Sequence, residues 1–301
     1  MRSRLRKGVH LPFVALLLLG GGDALRLGVA DAAARAGAPN LALALDPASP
    51  SALERIARSR LREESREGFE GALAALERAA AAAPARAEIH RLRAEILGAL
   101  GRETEADRAA ERAFSLEPRR AAVARTAAER ALRTDPALAS ARFRLANLGE
   151  PGRTDEGILL LFAHGATLRD LRGSVPDHAE ARFAAGRAFL DLGMPGAAAE
   201  QLATAERVGK PAKRDRLLGR ALLLLGDAER AEAAFLASVG AEGPEGVGAV
   251  VEAARESRDL ETGIAILERI AERHGHASAA LAAARLRREA GSLSSTKGSA
   301  P

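Results

Sequence analysis

The chain has 301 residues, 47% of them hydrophobic but only 3% aromatic, and it contains no cysteine, tryptophan or tyrosine. Without cysteine, a disulfide, a thiolate nucleophile and a cysteine metal site are all excluded. Arg2, Arg4, Arg6 and Lys7 carry four of the five net positive charges, which leaves +1 for the rest and no indication of nucleic-acid binding. A core of alanine and leucine, with little valine or isoleucine, favours helices over sheet.

The first predicted element is an apolar segment that follows a basic start. The run Val9–Gly22 is almost wholly apolar. As a helix it would span about 21 Å, less than the roughly 30 Å hydrocarbon core of a bilayer. The pattern predicts a signal peptide over residues 1–22, cleaved before Asp23, or an uncleaved signal anchor. Either one exports the rest to the periplasm, and we expect it to be anchored at the inner membrane. The alternative is an ordinary buried helix of a soluble cytoplasmic protein.

Residues 23–50 are predicted to form a helical lead-in, and residues 51–120 to form two repeat-like helix pairs. Ser51 is the expected N-cap of the next helix, and Glu54 three positions later would complete a capping box. Within the region 51–120, Pro84 and Pro118 close the two pairs at one repeat length from each other.

The segment 121–178 breaks this spacing. It is too long for one unit of that length and too short for two. Three helices are predicted, at 120–133, 137–148 and 154–171. The last one contains the most apolar run of the chain, Ile158–Phe162. We therefore expect an irregular helical insertion or a degenerate repeat here.

Two copies of one sequence unit lie end to end within residues 179–276. Gly186 and Gly219 recur at a spacing of 33, and a period of this length predicts stacked helix pairs. Both glycines, with the small residues Ala205 and Ser238, are expected where the two helices of a unit cross closely. Three further pairs keep the same spacing: Gly193 and Gly226, Ala198 and Ala231, and Pro211 and Pro244.

Helix stops and starts follow from the same spacing. Gly193 and Gly226 are expected to end the first helix of each unit, because glycine tolerates the left-handed conformation of a helix stop. The prolines then start the next unit. After residue 276 we expect a capping helix at 277–291 and a disordered tail at 292–301.

These units resemble the tetratricopeptide repeat, whose first helix carries Trp, Leu-Gly and Tyr and whose second carries Ala, Phe and a closing Pro. Leu218-Gly219 matches the Leu-Gly pair, whereas the Trp position holds Arg182 in one unit and Asp215 in the other. The resemblance implies an all-α, right-handed superhelix, an α-solenoid of antiparallel helix pairs that binds other proteins. In the other unit Gly186 keeps the Gly of the Leu-Gly pair. The Tyr position holds Phe189 and Leu222, the Ala position holds Ala198 and Ala231, and the Phe position holds Leu202 and Phe235.

In this repeat family the first helix of each unit lines the concave face, and the resemblance places seven residues of two units there. We expect them to form a partner-binding groove, called the predicted groove, for a peptide with acidic residues beside an apolar anchor. The alternative is a solvated basic stripe balanced by nearby acids. The clamp that some family members use for a peptide carboxylate is not supported, because the only asparagines are Asn40 and Asn147. The seven residues are Phe183, Arg187, Leu190, Lys213, Arg216, Arg220 and Leu223.

The sequence contains no catalytic constellation. Gly-x-Ser-x-Gly and His-Glu-x-x-His motifs are absent, and His274 and His276 lack further ligands at metal spacing, so no metal or cofactor is predicted. The predicted function is a non-catalytic scaffold of the bacterial cell envelope, accessory to envelope or exopolysaccharide assembly. One alternative is an enzyme, or enzyme subunit, with a site in segment 120–178. The other is a soluble cytoplasmic adaptor.

Overall fold

The computed structural model describes residues 23–205, 209, 211–242 and 244–297, and these residues contain 17 α-helices and no strand. The predicted all-α array of helix pairs is confirmed, whereas the predicted signal segment 1–22 lies outside the described residues. The chain divides into two units, the first ending at Ala131 and the second beginning at Leu132. The first unit contains α1 (Asp23–Arg35), α2 (Pro39–Leu45), α3 (Pro50–Leu61), α4 (Arg66–Ala82), α5 (Ala87–Ala99), α6 (Glu103–Leu116) and α7 (Ala121–Ala131). The second contains α8 (Pro136–Gly149), α9 (Thr154–Ala163), α10 (Leu168–Gly173), α11 (Ala179–Asp191), α12 (Pro195–Thr204), α13 (Pro211–Leu224), α14 (Ala228–Glu242), α15 (Pro244–Ser257), α16 (Leu260–His274) and α17 (Ala277–Lys297).

The first unit is built from helix pairs that follow one another along the chain. Helix α1 packs against α2, α3 against α4 and α5 against α6, and α7 packs against both α5 and α6. Ala72, Leu76 and Ala79 of α4, which are spaced three and four positions apart, are completely buried. Alanine at such positions lets two helix backbones approach closely, so many small contacts replace the aromatic bulk that the chain lacks.

The second unit continues the same arrangement from α11 onward. Helix α11 packs against α12, α13 against α14 and α15 against α16, and α17 packs against α15 and α16. Phe143 of α8, Phe189 of α11 and Phe235 of α14 are completely buried, and they are the largest side chains of the core. Each phenylalanine belongs to a different helix pair, so the core is distributed along the unit.

Glycine and proline delimit the helices as the period predicts. Gly193 has a φ of +69° and Gly226 a φ of +77°, the left-handed conformation that ends a helix. Pro211 is the first residue of α13 and Pro244 the first residue of α15, where a missing backbone N–H costs no hydrogen bond. Both sets of boundaries are therefore confirmed.

The two periodic glycines lie at close helix crossings. A Cβ atom placed on Gly186 would lie 2.5 Å from Leu202 Cγ, and one placed on Gly219 would lie 2.9 Å from Phe235 Cγ. Real Cβ contacts are longer, so only glycine fits at either position without displacing its neighbour. The contacting side chains lie three positions before the small residues that the sequence predicted at the crossing.

The predicted single helix at 154–171 is wrong, because two short helices occupy this stretch. Helix α9 ends at Ala163, and Gly165 follows with a φ of +75°. Thr167 then starts α10 with a capping box, in which its side chain accepts from the Asp170 backbone N–H and its own N–H donates to the Asp170 carboxylate. The glycine stop and the cap outweigh the apolar run that predicted one long helix.

The irregular segment keeps the repeat spacing at its start and loses it at its end. The helix starts at Ala121 and Thr154 are one repeat length apart, but the next start, at Ala179, follows clearly sooner. Because α10 has only six residues, the segment accommodates four α-helices in a length too small for two full units.

Two side-chain hydrogen bonds from α8 reach the C-terminal end of α10. Ser140 Oγ donates to the backbone oxygen of Asp170 at 2.5 Å, and Asn147 Nδ2 donates to that of Ser174 at 3.0 Å. Ser140 and Asn147 are both buried, so these bonds attach the end of α10 to α8 through groups that solvent does not reach.

Two helix ends differ from the prediction. Ser51 is not an N-cap, because α3 begins at Pro50 and Ser49 occupies the cap position. Proline is favoured at the first helical position, and the Ser51 hydroxyl instead donates to Asp31 Oδ1 at 2.9 Å. At the other end of the chain, α17 continues to Lys297, past the predicted boundary at Gly291.

Candidate functional site

The apolar residues of the predicted groove belong to the core. Phe183, Leu190 and Leu223 are only 9%, 5% and 2% exposed, so none of them is available as an apolar anchor for a partner. The physical reason is that a first helix such as α11 packs against three others, α9, α12 and α13, which leaves only a narrow solvent-facing stripe.

The best-defined cation of the predicted groove is engaged by an acid of the following pair. Arg220 of α13 donates from Nε and Nη2 to the two carboxylate oxygens of Glu256 on α15, at 2.7 and 2.9 Å. This bidentate hydrogen bonding raises the pKa of the Arg220 guanidinium further above its usual range. The pair joins equivalent helices of two successive repeats.

Two more arginines of the predicted groove lie close to acids of a neighbouring pair. Arg187 Nη2 lies 3.6 Å from Asp155 Oδ2, and Arg216 Nη1 lies 3.6 Å from Glu245 Oε2. Lys213 is partly buried near the start of α13. The groove is therefore largely neutralised by acids of the same unit, and partner binding through it stays a prediction.

A cationic cavity in the first unit was not predicted. It has a volume of about 790 Å³ and lies between α1, α3 and the loops that precede α2 and α5, and we call it the arginine pocket. Five arginines and two carboxylates line it, which gives a formal net charge of +3. Its lining residues are Asp31, Arg35, Gly37, Pro39, Ser51, Glu54, Arg55, Arg58, Ser59, Arg62 and Arg86.

Helix α3 supplies the arginines at the centre of the pocket. Arg55 and Arg58 lie on α3, and Arg62 follows its last residue with helical backbone angles. The three arginines are spaced three and four positions apart, so they form one stripe about 10 Å long. Arg55 Nη2 donates to the backbone oxygen of Arg35 at 2.6 Å. Among the described contacts, neither Arg55 nor Arg62 has a carboxylate partner, so both retain charge for an external anion.

A buried carboxylate forms the floor of the pocket. Glu54 is 8% exposed, and its Oε1 accepts from Arg58 Nη2 at 3.0 Å. Arg86 Nη2 lies 3.0 Å from Glu54 Oε2 as an ion pair without hydrogen-bond geometry, while Arg86 Nη1 donates to Ser51 Oγ at 3.1 Å. Glu54 therefore fixes the positions of two pocket arginines.

Glu88 of α5 holds the adjoining arginines together. Its side chain is 5% exposed and pairs with Arg58, with Arg91 at 2.7 Å and with Arg120 at 3.1 Å. Burial raises the pKa of Glu88, but the Arg91 hydrogen bond and the charges of Arg91, Arg120 and Arg58 outweigh it, so the pKa lies below its usual range. For Glu95, which also pairs with Arg91, burial prevails and the pKa is raised.

Sequence reasoning missed the arginine pocket because it followed the best-conforming repeats. The available signal was the spacing of Arg55, Arg58 and Arg62 along a predicted first helix. In the tetratricopeptide repeat family, the first helix of each unit lines the concave face. What the sequence does not show is that Arg35 and Arg86, which lie far from this stripe on either side of it along the chain, approach it in space.

The acids of segment 121–178 serve structural roles. Asp135 caps α8 by accepting from the Leu138 backbone N–H, and Asp170 caps α10. Arg153 donates to the carboxylates of Glu150 and Glu156, which raises its pKa. The enzyme alternative thus gains no convergent set of ionisable groups from these contacts.

The described part of the chain contains no group of three or more His, Asp or Glu residues placed to bind a metal ion. The rings of His274 and His276 are 6.0 Å apart and tilted by 36°. None of the helices within residues 23–297 that are described combines the length and apolar character needed to cross a bilayer.

No protein-family model matches the chain, and no curated protein matches it either. Among solved structures it is similar to PilW, a type IV pilus biogenesis factor, with 15% identity over 76% of this chain and 96% of that one, at a TM-score of 0.31. It is also similar to Pseudomonas aeruginosa PilF, with 15% identity over 81% of this chain and 98% of that one, at a TM-score of 0.33. With YrrB, a TPR protein with an unusual peptide-binding site, it shares 13% identity over 70% of this chain and 97% of that one, at a TM-score of 0.35. The fold assignment rests on the helix pairs and glycine crossings described above.

Proposed function

We propose that this protein is a non-catalytic scaffold that binds a partner protein through an acidic segment of that partner. The arginine pocket carries the proposal, because Arg55 and Arg62 face a cavity of about 790 Å³ without a carboxylate of their own among the described contacts. Arginine binds carboxylates in bidentate fashion, so two arginines on one helix face can hold two acidic side chains of an extended peptide.

Nucleic acid is a poorer occupant than an acidic peptide. None of the described residues that line the arginine pocket is aromatic, so bases would find no stacking surface. Asp31 and Glu54 also lie in the pocket and would repel a continuous phosphate backbone. A peptide can place its carboxylates at the arginines and neutral residues beside the two acids.

The proposal extends to the location of the scaffold. The basic start and the apolar run Val9–Gly22 support export across the inner membrane, with the segment either cleaved or retained as an anchor. Together with the resemblance to tetratricopeptide repeats, this supports a scaffold of the bacterial envelope, accessory to envelope or exopolysaccharide assembly. A periplasm-only reporter fused after residue 60 should be active, whereas activity of a cytoplasm-only reporter would favour a cytoplasmic adaptor.

The binding test compares two double variants of the same charge. Arg55→Gln with Arg62→Gln removes the two pocket arginines, and Arg66→Gln with Arg112→Gln removes two exposed arginines outside the pocket lining. The probe is a fluorescent peptide of alternating glutamate and glycine, with a glutamine version as the uncharged control. Anisotropy should show saturable binding that weakens about tenfold or more in the pocket variant only, and that weakens with salt. Equal binding by both variants would remove the pocket from the proposal.

A further inference from the structure

A second cavity lies in the other unit, between α15 and α17, and we call it the terminal cleft. Its volume is about 330 Å³. Val251 of α15 and Ala282 and Leu286 of α17 give it an apolar lining, and Leu286 is completely buried. A cavity of this size is at the lower end of the range for ligand pockets, so it suits one large side chain with its flanking backbone.

Leu281 is the feature that distinguishes this cleft from an ordinary gap between helices. It lines the cleft and is 63% exposed, more than any other large hydrophobic side chain in the described part of the chain. Ser278, Leu281 and Arg285 are spaced three and four positions apart, so one face of α17 presents a leucine toward the cleft with polar groups on both sides.

The rim of the terminal cleft is cationic. Arg255 Nη2 donates to Glu289 Oε2 at 2.9 Å, so its charge is already balanced. Arg285 has no carboxylate partner among the described contacts. The sequence predicted apolar residues beside cationic ones on α11 and α13, but there the apolar residues are buried, whereas Leu281 at the terminal cleft is exposed.

We propose that the terminal cleft holds an apolar side chain of leucine or phenylalanine size from a partner peptide, with an adjacent acidic residue bound by Arg285. The proposal rests on the proposed function as a protein scaffold, but it concerns a different site. The single unbalanced cation and the small volume favour a short peptide segment over the acyl chain of a membrane lipid.

The test uses the full chain and three amidated, fluorescent peptides of equal length. One carries a single leucine flanked by glutamates, the second replaces the leucine with serine, and the third replaces the glutamates with lysines. Leu281→Ser and Arg285→Gln are the cleft variants. Leu225→Ser and Arg288→Gln are matched controls, since both residues are exposed and lie outside the cleft lining.

We expect only the leucine–glutamate peptide to bind the cleft, with affinity reduced about tenfold by Leu281→Ser and severalfold by Arg285→Gln. The controls, and Arg55→Gln with Arg62→Gln, should leave this leucine-dependent binding unchanged. Equal affinity for the leucine and serine peptides, unchanged binding by both cleft variants, or displacement by laurate but not by the peptide would overturn the proposal. If only the Arg55 and Arg62 variant abolishes binding, the terminal cleft fails and the arginine pocket survives. If only the cleft variants lose binding, the terminal cleft stands, and binding of the glutamate–glycine peptide decides the arginine pocket separately.

Discussion

The two units use the same residue types on their first helices with opposite electrostatic results. In the first unit, Arg55 and Arg62 face a cavity and have no acid among the described contacts. In the second, Arg220 reaches Glu256 one repeat later, and Arg216 lies near Glu245. The number of arginines is therefore uninformative by itself. What creates a binding surface is the placement of the acids.

Glu88 shows where the acids of the first unit are used. One buried carboxylate pairs with Arg58, Arg91 and Arg120, and each of these arginines also lies beside a second acid, Glu54, Glu95 or Glu117. In the second unit, the buried acids Asp215 and Glu232 each pair with one arginine, Arg214 and Arg269, and Glu256, whose side chain is 40% exposed, pairs with Arg220. The first unit should therefore depend on charge for stability much more than the second.

Replacing Glu88 should give the largest effect. Glu88→Ala removes the buried carboxylate that Arg58, Arg91 and Arg120 share and leaves Arg91 with Glu95 alone, so we expect a loss of about 3 kcal/mol in the free energy of unfolding. The matched change in the second unit, Glu256→Ala, removes an exposed partner and should cost about 0.5 kcal/mol. Urea denaturation of both variants measures the difference. Equal losses would mean that the two units hold their charges in the same way.

In the second unit, packing should matter more than charge. Gly219→Leu places a side chain where even a Cβ would lie 2.9 Å from Phe235, and overpacking should cost about 2 kcal/mol. Gly248→Leu in α15 is the control, because no atom lies within 4 Å of its Cβ position. Thermal unfolding should show a lower melting temperature for Gly219→Leu only. An unchanged value would show that the crossing of α13 and α14 has been placed incorrectly.

The pH dependence of the first unit should reveal Glu88 directly. Its pKa in the folded state is below 4.5, so its contribution to stability is complete above that pH and is lost as pH falls through the lower folded value. Glu88→Gln should therefore be less stable than wild type at pH 7, by about 1–2 kcal/mol. The difference should narrow below pH 4.5 in urea titrations. A constant difference throughout the acidic range would contradict the assignment.

The smallest effect on stability is expected in the predicted groove. Arg216→Glu with Arg220→Glu should cost no more than about 1 kcal/mol, because both arginines make partly exposed ion pairs. The sequence predicts that this variant weakens partner capture from native membranes. Since these arginines lie beside acids already, we expect a smaller loss of capture than for Arg55→Gln with Arg62→Gln. A larger loss would move the binding surface back to the second unit.

Local sequence signals predicted the helices well, but they did not predict the arginine pocket. Gly193 and Gly226 end helices because a single residue type tolerates positive φ, which is a property of the residue itself. Gly165 acts in the same way, yet the apolar run before it suggested one continuous helix from 154 to 171. Where two local signals compete in this way, the hydrogen bonds that form in the structure show which one prevails. Here they are the bonds of the capping box between Thr167 and Asp170.

The sequence by itself determined that the chain is helical, that its helices come in pairs, and where glycine must sit at the crossings. These features depend on backbone conformation and on contacts within one repeat length, so a period records them directly. Only the tertiary structure decided which side chains face solvent. Phe183 and Leu223 became core because helices of the adjoining pairs cover them, and Arg35, Arg55 and Arg86 became one pocket because three helix pairs bring them together. The burial of a side chain and the net charge around it depend on residues from several helices, and no single stretch of sequence contains all of those residues.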